Sequence, residues 1–511
     1  MMGLEQVRRV LAIGAVLWAG AAGPGSERAM LGGIPSRNPV SAEKNLPSSF
    51  DPATGRNVKW MAELGNEAYA GPVVAGGRVF AGTNNELPRD PGAVGDRGVL
   101  MAFSAADGTF LWQSTHPKLA AGRAQDWPLQ GVCSTPAIEG DRLYYLSNRG
   151  EAVALDAQGF RDGENDGPLT SEAARGERDA DVVWTLDLIG KLGVVPRYMT
   201  ASSPVVAGDL LFVVTGNGRG PDGKVPAPKA PSFVAIDRHT GQVRWSDASP
   251  GEDLLEGQWG SPSYGTLAGR PQVVFPGGDG RLYAFEPETG RLLWSFDANR
   301  APSLGTNPAP RAPLIASPVL HDGRVYAALG RDPQHSAEPG RLWALDIRPA
   351  GKGRFEAVPA WSLGGADFST TLSSVAVDGG LVYAADFAGF LRAIDAATGK
   401  VLWTYDAFAA VWGSPLLADG KIYLGDQDGD LAVLRAGRRL EVLAEVDLGT
   451  SVLTTPAARD GVLYVVTSSR LYALAAGAGP TGNAASRADP PGSPGGPECS
   501  SPGRPPGGRA R

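Results

Sequence analysis

Apolar residues in this chain come in short bursts that alternate with turn residues. Val73-Val74-Ala75, Val79-Phe80-Ala81 and Leu100-Met101-Ala102-Phe103 open a rhythm that continues to Leu471-Tyr472-Ala473-Leu474. Bursts of roughly four to eight residues bounded by Gly and Asp-Gly turns predict strands. One phrase returns within the rhythm: Ala235-Ile236-Asp237, then Thr240-Gly241, then Trp245. It recurs from Ala284 through Thr289-Gly290 to Trp294 and from Ala393 through Thr398-Gly399 to Trp403, with a looser copy from Ala102 through Asp107-Gly108 to Trp112.

Each copy follows a second hairpin that begins with Ser/Thr-Pro or a variant of it. The starts are Gly71-Pro72, Thr135-Pro136, Ser203-Pro204, Ser261-Pro262, Ser317-Pro318, Ser374-Val375, Ser414-Pro415 and Thr455-Pro456. Units repeating at roughly 40 to 70 residues, each of four strands, build a β-propeller, which hides strand edges by radial closure. The last unit stops after Leu474 without a Trp-bearing fourth strand, while Asn57-Val58-Lys59-Trp60 precedes the first unit without a hairpin partner. Pairing these segments closes the ring. The expectation is an all-β, eight-bladed propeller over 57–476, closed by its N-terminal strand. Trp60, Trp112, Trp184, Trp245, Trp294, Trp361 and Trp403 lie on outer strands, where a large flat side chain can dock one blade on the next.

Composition adds compartment and excludes one class. Arg8 and Arg9 precede an apolar run from Val10 to Ala22, with Ala19-Gly20-Ala21 as a cleavage site, so 1–22 reads as an export signal. An uncleaved N-terminal anchor is the alternative. Residues 23–56 read as a linker, and 477–511, rich in Gly, Pro, Ser and Arg, as a disordered tail. Export would place the chain in the periplasm or cell envelope, with no membrane span after cleavage, as a monomer. A net charge of −7 gives no electrostatic footprint for nucleic acid. The two cysteines, Cys133 and Cys499, do not suggest a structural disulfide.

Candidate chemistry follows from loop placement. The long insertions fall mostly on the face reached by the B–C and D–A connections, counting strands A to D from the axis outward. That concentration marks a working face on a rigid scaffold. The B strands end there on Asn84, Asn148, Asn217, Asp279, Asp332, Asp386 and Asp426. Such oxygens suit a hard cation or a polyhydroxylated ligand, and they equally suit turns in which Asn and Asp bond their own backbone. Asp426-x-Asp428-Gly429-Asp430 looks like a calcium loop but lacks the downstream Glu, and reads more simply as a tight turn. Trp259 and Trp412 precede the innermost strands of blades four and seven and are candidate ligand-stacking plates at the channel mouth, with loop packing as the alternative. His335 and Asp332 are candidate binding residues on the same rim.

On these motifs the chain resembles the pyrroloquinoline quinone (PQQ) repeat propellers, the quinoprotein alcohol dehydrogenase-like family, over nearly the whole ring. Phe212 to Gly218 and Phe275 to Phe285 resemble exported PQQ-like propellers of planctomycete-type bacteria. The family holds PQQ- and calcium-dependent dehydrogenases of alcohols or sugars, and non-catalytic scaffolds of the BamB type. In the dehydrogenases an Asn in a Thr-Gly-Asn segment binds calcium and an Asp on the next blade is the base. The resemblance carries these roles onto Asn217 and Asp279, with Glu151 the nearest candidate for the metal glutamate. The adjacent Cys pair and a haem motif are absent. The favoured expectation is therefore a non-catalytic binding or scaffold module for a protein, peptide or glycan of the cell envelope, with no cofactor certain. The alternative is a PQQ- and calcium-dependent dehydrogenase with Asp279 as catalytic base.

Overall fold

The computed structural model describes residues 28–300, 311–331 and 339–479. The expected leader 1–22 and the tail beyond 479 lie outside the described residues. No helix among the described residues is long and apolar enough to cross a membrane.

Eight antiparallel four-stranded sheets stand in a ring, two of them with one added N-terminal strand. Their innermost strands, numbered here as blades 1 to 8, are Val73–Ala75, Ala137–Glu139, Val205–Ala207, Ser263–Leu267, Val319–His321, Ala376–Asp378, Leu416–Ala418 and Ala457–Arg459. Blade 8 takes its outer strand from Val58–Glu63, which pairs antiparallel with Arg470–Ala475 so that Trp60 lies opposite Ala473. The ring is closed by the two ends of the repeat array, as the orphan strand and the missing strand required.

The repeated phrase now has a physical account at each position. Its Ala lies directly across the hairpin from its Trp: Ala102 faces Trp112, Ala235 faces Trp245, Ala284 faces Trp294 and Ala393 faces Trp403. A register shift follows that Ala in each pair. A small residue leaves room for the indole, and the bulge twists the outer strand. The acidic residue caps the turn, as Asp237 Oδ1 accepts from the backbone N–H groups of His239 and Thr240 at 3.0 Å. The Gly has a positive φ and leaves space for the Trp of the preceding blade. A Cβ on Gly108 would stand 2.7 Å from Trp60, and one on Gly241 would stand 2.7 Å from Trp184.

The indole N–H groups cross the same joints. Trp60 donates to Ala105 O, Trp112 to Ala157 O, Trp184 to Arg238 O, Trp245 to Pro287 O, Trp361 to Ala396 O and Trp403 to Gly437 O. Trp294 differs, donating to Gln272 within its own blade. The next blade offers it no short turn, because its outer two strands form a long hairpin, Pro339–Gly351 and Arg354–Ser369. Trp343 of that hairpin instead reaches back to Ala298 O.

A second ring of contacts runs round the axis and explains the Ser/Thr-Pro starts. The hydroxyl before the Pro accepts the backbone N–H at the equivalent position of the preceding blade. Gly71 N donates to Thr135 Oγ1, Thr135 N to Ser203 Oγ, Ser203 N to Ser261 Oγ and Ser261 N to Ser317 Oγ, all between 2.9 and 3.1 Å. Between blades 5 and 6 the Ser374 hydroxyl instead donates to Ser317 O, and Ser374 N to Ser414 Oγ and Ser414 N to Thr455 Oγ1 then resume the pattern. These residues precede the innermost strands and lie outside the ladders, so a hydroxyl from the next blade satisfies their N–H groups.

The stretch read from the sequence as a linker has a defined course from Arg28 onward. Arg28–Ala29 adds a strand to blade 2 and Val40–Ser41 adds a parallel one to blade 7. Met30, Arg37, Asn38, Leu46 and Phe50 are buried.

Candidate functional site

Most of the B-strand Asn and Asp oxygens among the described residues are spent on the backbone; Asn148 is the exception, its Oδ1 buried without a hydrogen-bond partner while its Nδ2 donates to Pro117 O and Asp126 Oδ2. Asn84 Oδ1 accepts from Asn66 N at 3.0 Å, Asp386 accepts from Ser369 N and Phe390 N, and Asp426 Oδ1 accepts from the N–H groups of Asp428, Gly429 and Asp430. Asp386 also holds Arg392 at 2.6 Å. Burial and the neighbouring Asp430 and Asp428 carboxylates push the Asp426 carboxyl up to about 6, against the lowering by its N–H donors. Several of these caps tie the B–C turn of one blade to the D–A loop that enters it. No cluster of three or more His, Cys, Asp or Glu side chains arranged for a metal ion occurs among the described residues.

Asn217 and Asp279 follow the same rule. Asn217 is buried, its Oδ1 accepts from Val195 N at 3.0 Å, and its Nδ2 donates to Ala227 O at 2.9 Å. Asp279 is 2% exposed. Its Oδ2 accepts from the Tyr283 hydroxyl at 2.6 Å and its Oδ1 from Arg281 N at 3.1 Å. Burial raises its carboxyl above the usual range. Glu151 accepts from Ser147 Oγ and Arg149. Calcium needs six to eight oxygens with free lone pairs, and a general base must reach substrate. Asn217, Asp279 and Glu151 are each already engaged in hydrogen bonds, and no arrangement of them for a metal ion is seen among the described residues. Asp332 and His335 lie outside the described residues.

What the loop face does present is aromatic. Trp259, half-buried, donates its indole N–H to Arg197 O at 3.1 Å and stacks at 17° on Tyr198, with centroids 6.4 Å apart. Tyr198 meets Trp127 edge-on at 4.8 Å. Arg197 lies 3.8 Å over the Tyr198 ring and Arg123 lies 3.7 Å over Trp127. Two loops build this group together, since Trp127 N donates to Tyr198 O and Tyr198 N to Ala124 O. A second group gathers on Trp412, which lies 6.1 Å from Tyr69 and 5.7 Å from Phe387. The Trp412 indole N–H donates to Gln427 Oε1 at 3.0 Å. The structure thus puts Trp259 and Trp412 in two separate aromatic groups, each completed by residues not singled out from the sequence.

Backbone strain marks the same loops. Leu129, Tyr198 and Phe408 are non-glycine residues with φ of 64°, 65° and 61°. Phe408 is 82% exposed and Leu129 42% exposed. An L-residue in this region costs roughly 1–2 kcal/mol, and such strain concentrates at ligand clamps and switch regions. An aromatic tally of the D–A connections would have found Tyr69, Trp127 and Tyr198. The positive φ values have no sequence signal.

With this geometry in view, comparison with known proteins is informative. The family model described as outer membrane protein assembly factor BamB matches residues 5–183, 173–354 and 337–493. The chain belongs to that family. The BamB of Moranella endobia is 22% identical over 411 residues, covering 80% of this chain and 88% of that protein. The polyvinylalcohol dehydrogenase of Sphingopyxis sp. (strain 113P3) is 27% identical over 266 residues, which is 42% of this chain. The chain spans only 38% of that dehydrogenase's length. Among solved structures, quinohemoprotein alcohol dehydrogenase from Comamonas testosteroni superposes with a TM-score of 0.60 at 14% identity, covering 89% of this chain and 81% of that one. That likeness is one of fold.

Proposed function

We propose that this chain is an exported, non-catalytic binding module of the cell envelope, presenting its loop face to a protein partner. The observation that carries this reading is the division of labour on that face. Most of its Asn and Asp side chains at the B-strand ends are used as backbone caps, while large apolar and aromatic side chains are held there at a cost in backbone strain. Half-buried aromatic side chains beside guanidinium groups suit protein recognition, in which Trp, Tyr and Arg dominate the binding energy. Similarity to BamB proteins and the Arg8-Arg9 leader support the envelope location.

The test places a photo-crosslinking residue at Phe408 or Leu129 of the full chain in its own cells. Asp460, 87% exposed at an A–B turn of the opposite face, serves as control. The expected result is an adduct with an envelope protein from the first two positions and none from Asp460. The reading fails if those positions give no adduct while the purified protein binds PQQ with calcium and reduces dye with an alcohol, an activity lost in Asp279→Asn.

A further inference from the structure

The innermost strands of a propeller present unpaired backbone groups to the central channel. Here the chain's own N-terminal segment pairs with them in turn. Arg28–Ala29 pairs with Glu139 and Ile138 of blade 2. Pro35 O accepts from Tyr264 N of blade 4 at 2.8 Å, and Ser36 O from Leu320 N of blade 5 at 2.9 Å. The Asn38 amide takes both backbone groups of Val377 on blade 6, accepting from its N–H and donating to its carbonyl at 2.8 Å each. Pro39 O accepts from Leu417 N of blade 7, where Val40–Ser41 continues as a parallel strand. Glu43 accepts from Gly461 N of blade 8. Leu46 is held by Asp419 and Lys421, and Pro47 O by the Tyr423 hydroxyl. From Arg28 to Glu43 the segment therefore meets blades 2 and 4 to 8 in order, and at Leu46 and Pro47 it turns back onto blade 7.

Arg37 crosses it. Its neighbours Ser36 and Asn38 are fastened to blades 5 and 6, yet its guanidinium donates to Ser203 O and Pro204 O of blade 3 and Pro262 O of blade 4, at 2.6, 2.9 and 2.8 Å. A fourth bond closes the segment on itself, to Leu31 O at 3.1 Å. Arg37 is 1% exposed and its bonds are all to carbonyl oxygens, so burial pulls its pKa down to about 9. Gly32 permits the fold-back, because a Cβ there would stand 2.9 Å from the Arg37 backbone at a φ of +73°.

We propose that the luminal rim of the inner strands is a binding site for an extended, arginine-bearing peptide, occupied in cis by residues 28–47 of this chain. Backbone pairing along the rim supplies the affinity, as in peptide recognition by strand addition. The buried Arg37 side chain, bonded to carbonyl oxygens of blades 3 and 4, supplies the specificity. This site is independent of the partner proposed for the loop face.

The test uses the full chain with a protease recognition sequence inserted between the exposed Thr54 and the following Gly55. After cutting, the wild-type N-terminal piece should stay bound through gel filtration and exchange slowly for a labelled synthetic peptide of residues 28–47. A peptide carrying Arg37→Met should leave at least tenfold faster. The proposal is overturned if the cut piece dissociates at once from a ring whose circular dichroism is unchanged, or if the Arg37→Met peptide is held as long as the wild type. Hydrogen exchange on the uncut protein gives a second readout. The amides of Tyr264, Leu320, Val377 and Leu417 should be protected and should exchange at least tenfold faster in Arg37→Met, with Val273 and Leu282 unchanged. Equal exchange in the two proteins would overturn it. If Arg37→Met does not fold, Asn38→Ala should lose protection at Val377, and unchanged protection there counts against the proposal.

Discussion

Replacing Gly241 by Ala isolates the contact that joins blade 2 to blade 3. Gly241 has a φ of +71°, and a Cβ on it would stand 2.7 Å from Trp184 Cε3 and 2.8 Å from Cδ2. The indole has little freedom to retreat: Trp184 is 3% exposed, bonds Arg238 O at 2.9 Å and packs against Tyr144 at 6.1 Å. Gly208 of the same blade has a φ of +59° with open space where its Cβ would go. Both substitutions carry the backbone penalty of about 1 kcal/mol. Only Gly241→Ala adds overpacking against a fixed ring, about 2 kcal/mol more. Urea denaturation followed by circular dichroism should therefore show Gly241→Ala losing about 3 kcal/mol and Gly208→Ala about 1. In a Trp184→Leu background the Gly241→Ala cost should fall toward that of Gly208→Ala, a coupling of about 2 kcal/mol in the double-mutant cycle. Equal costs for the two glycines, or a cost indifferent to Trp184, would refute the docking account.

Other consequences are open to measurement. Ser203→Ala removes the acceptor of Thr135 N and leaves a buried N–H unpaired, so it should cost about 1–3 kcal/mol in the same assay. His116 lies 2.6 Å from the Tyr145 hydroxyl, and burial followed by Arg149 pulls its pKa down to about 4. The fold binds neutral imidazole, so stability should be intact above the unfolded value near 6.5 and decline as pH falls toward 4. His116→Gln should flatten that decline, read as melting temperature against pH. Asp426, raised to about 6, has the opposite sign: its contribution is full at acid pH and lost as pH rises through 6. Asp426→Asn keeps the carbonyl acceptor and should raise the melting temperature at pH 8 but not at pH 4. Phe408→Gly relieves a left-handed backbone and should gain about 1 kcal/mol while weakening capture of the envelope partner in a pull-down.

The ring was legible because its information is local and repeated. Ala, Asp, Thr-Gly and Trp meet within one hairpin, so their spacing carries the turn, the bulge and the room for the indole in every copy. Closure was legible for the same reason, since Trp60 and Leu474 are two halves of one such unit. The ligand chemistry carried over by resemblance fared differently. Asn217 and Asp279 stand in the family's positions, but whether an oxygen is free depends on what folds over it. Val195, Ala227 and Tyr283 take those atoms from other segments or another strand.

The segment 28–47 shows the limit most clearly. Ile34-Pro35-Ser36-Arg37-Asn38-Pro39 has no period and no strand run, and read alone it is a linker. Its hydrogen bonds go one or two at a time to partners on successive blades, up to a few hundred residues distant, and no local pattern encodes such a set. The sequence by itself determined the blades, their number and the join that closes them, because each is a short-range agreement repeated along the chain. Only the tertiary structure decided which polar groups were already satisfied and what pairs with the inner strands, because both depend on surfaces that exist only once the ring has closed.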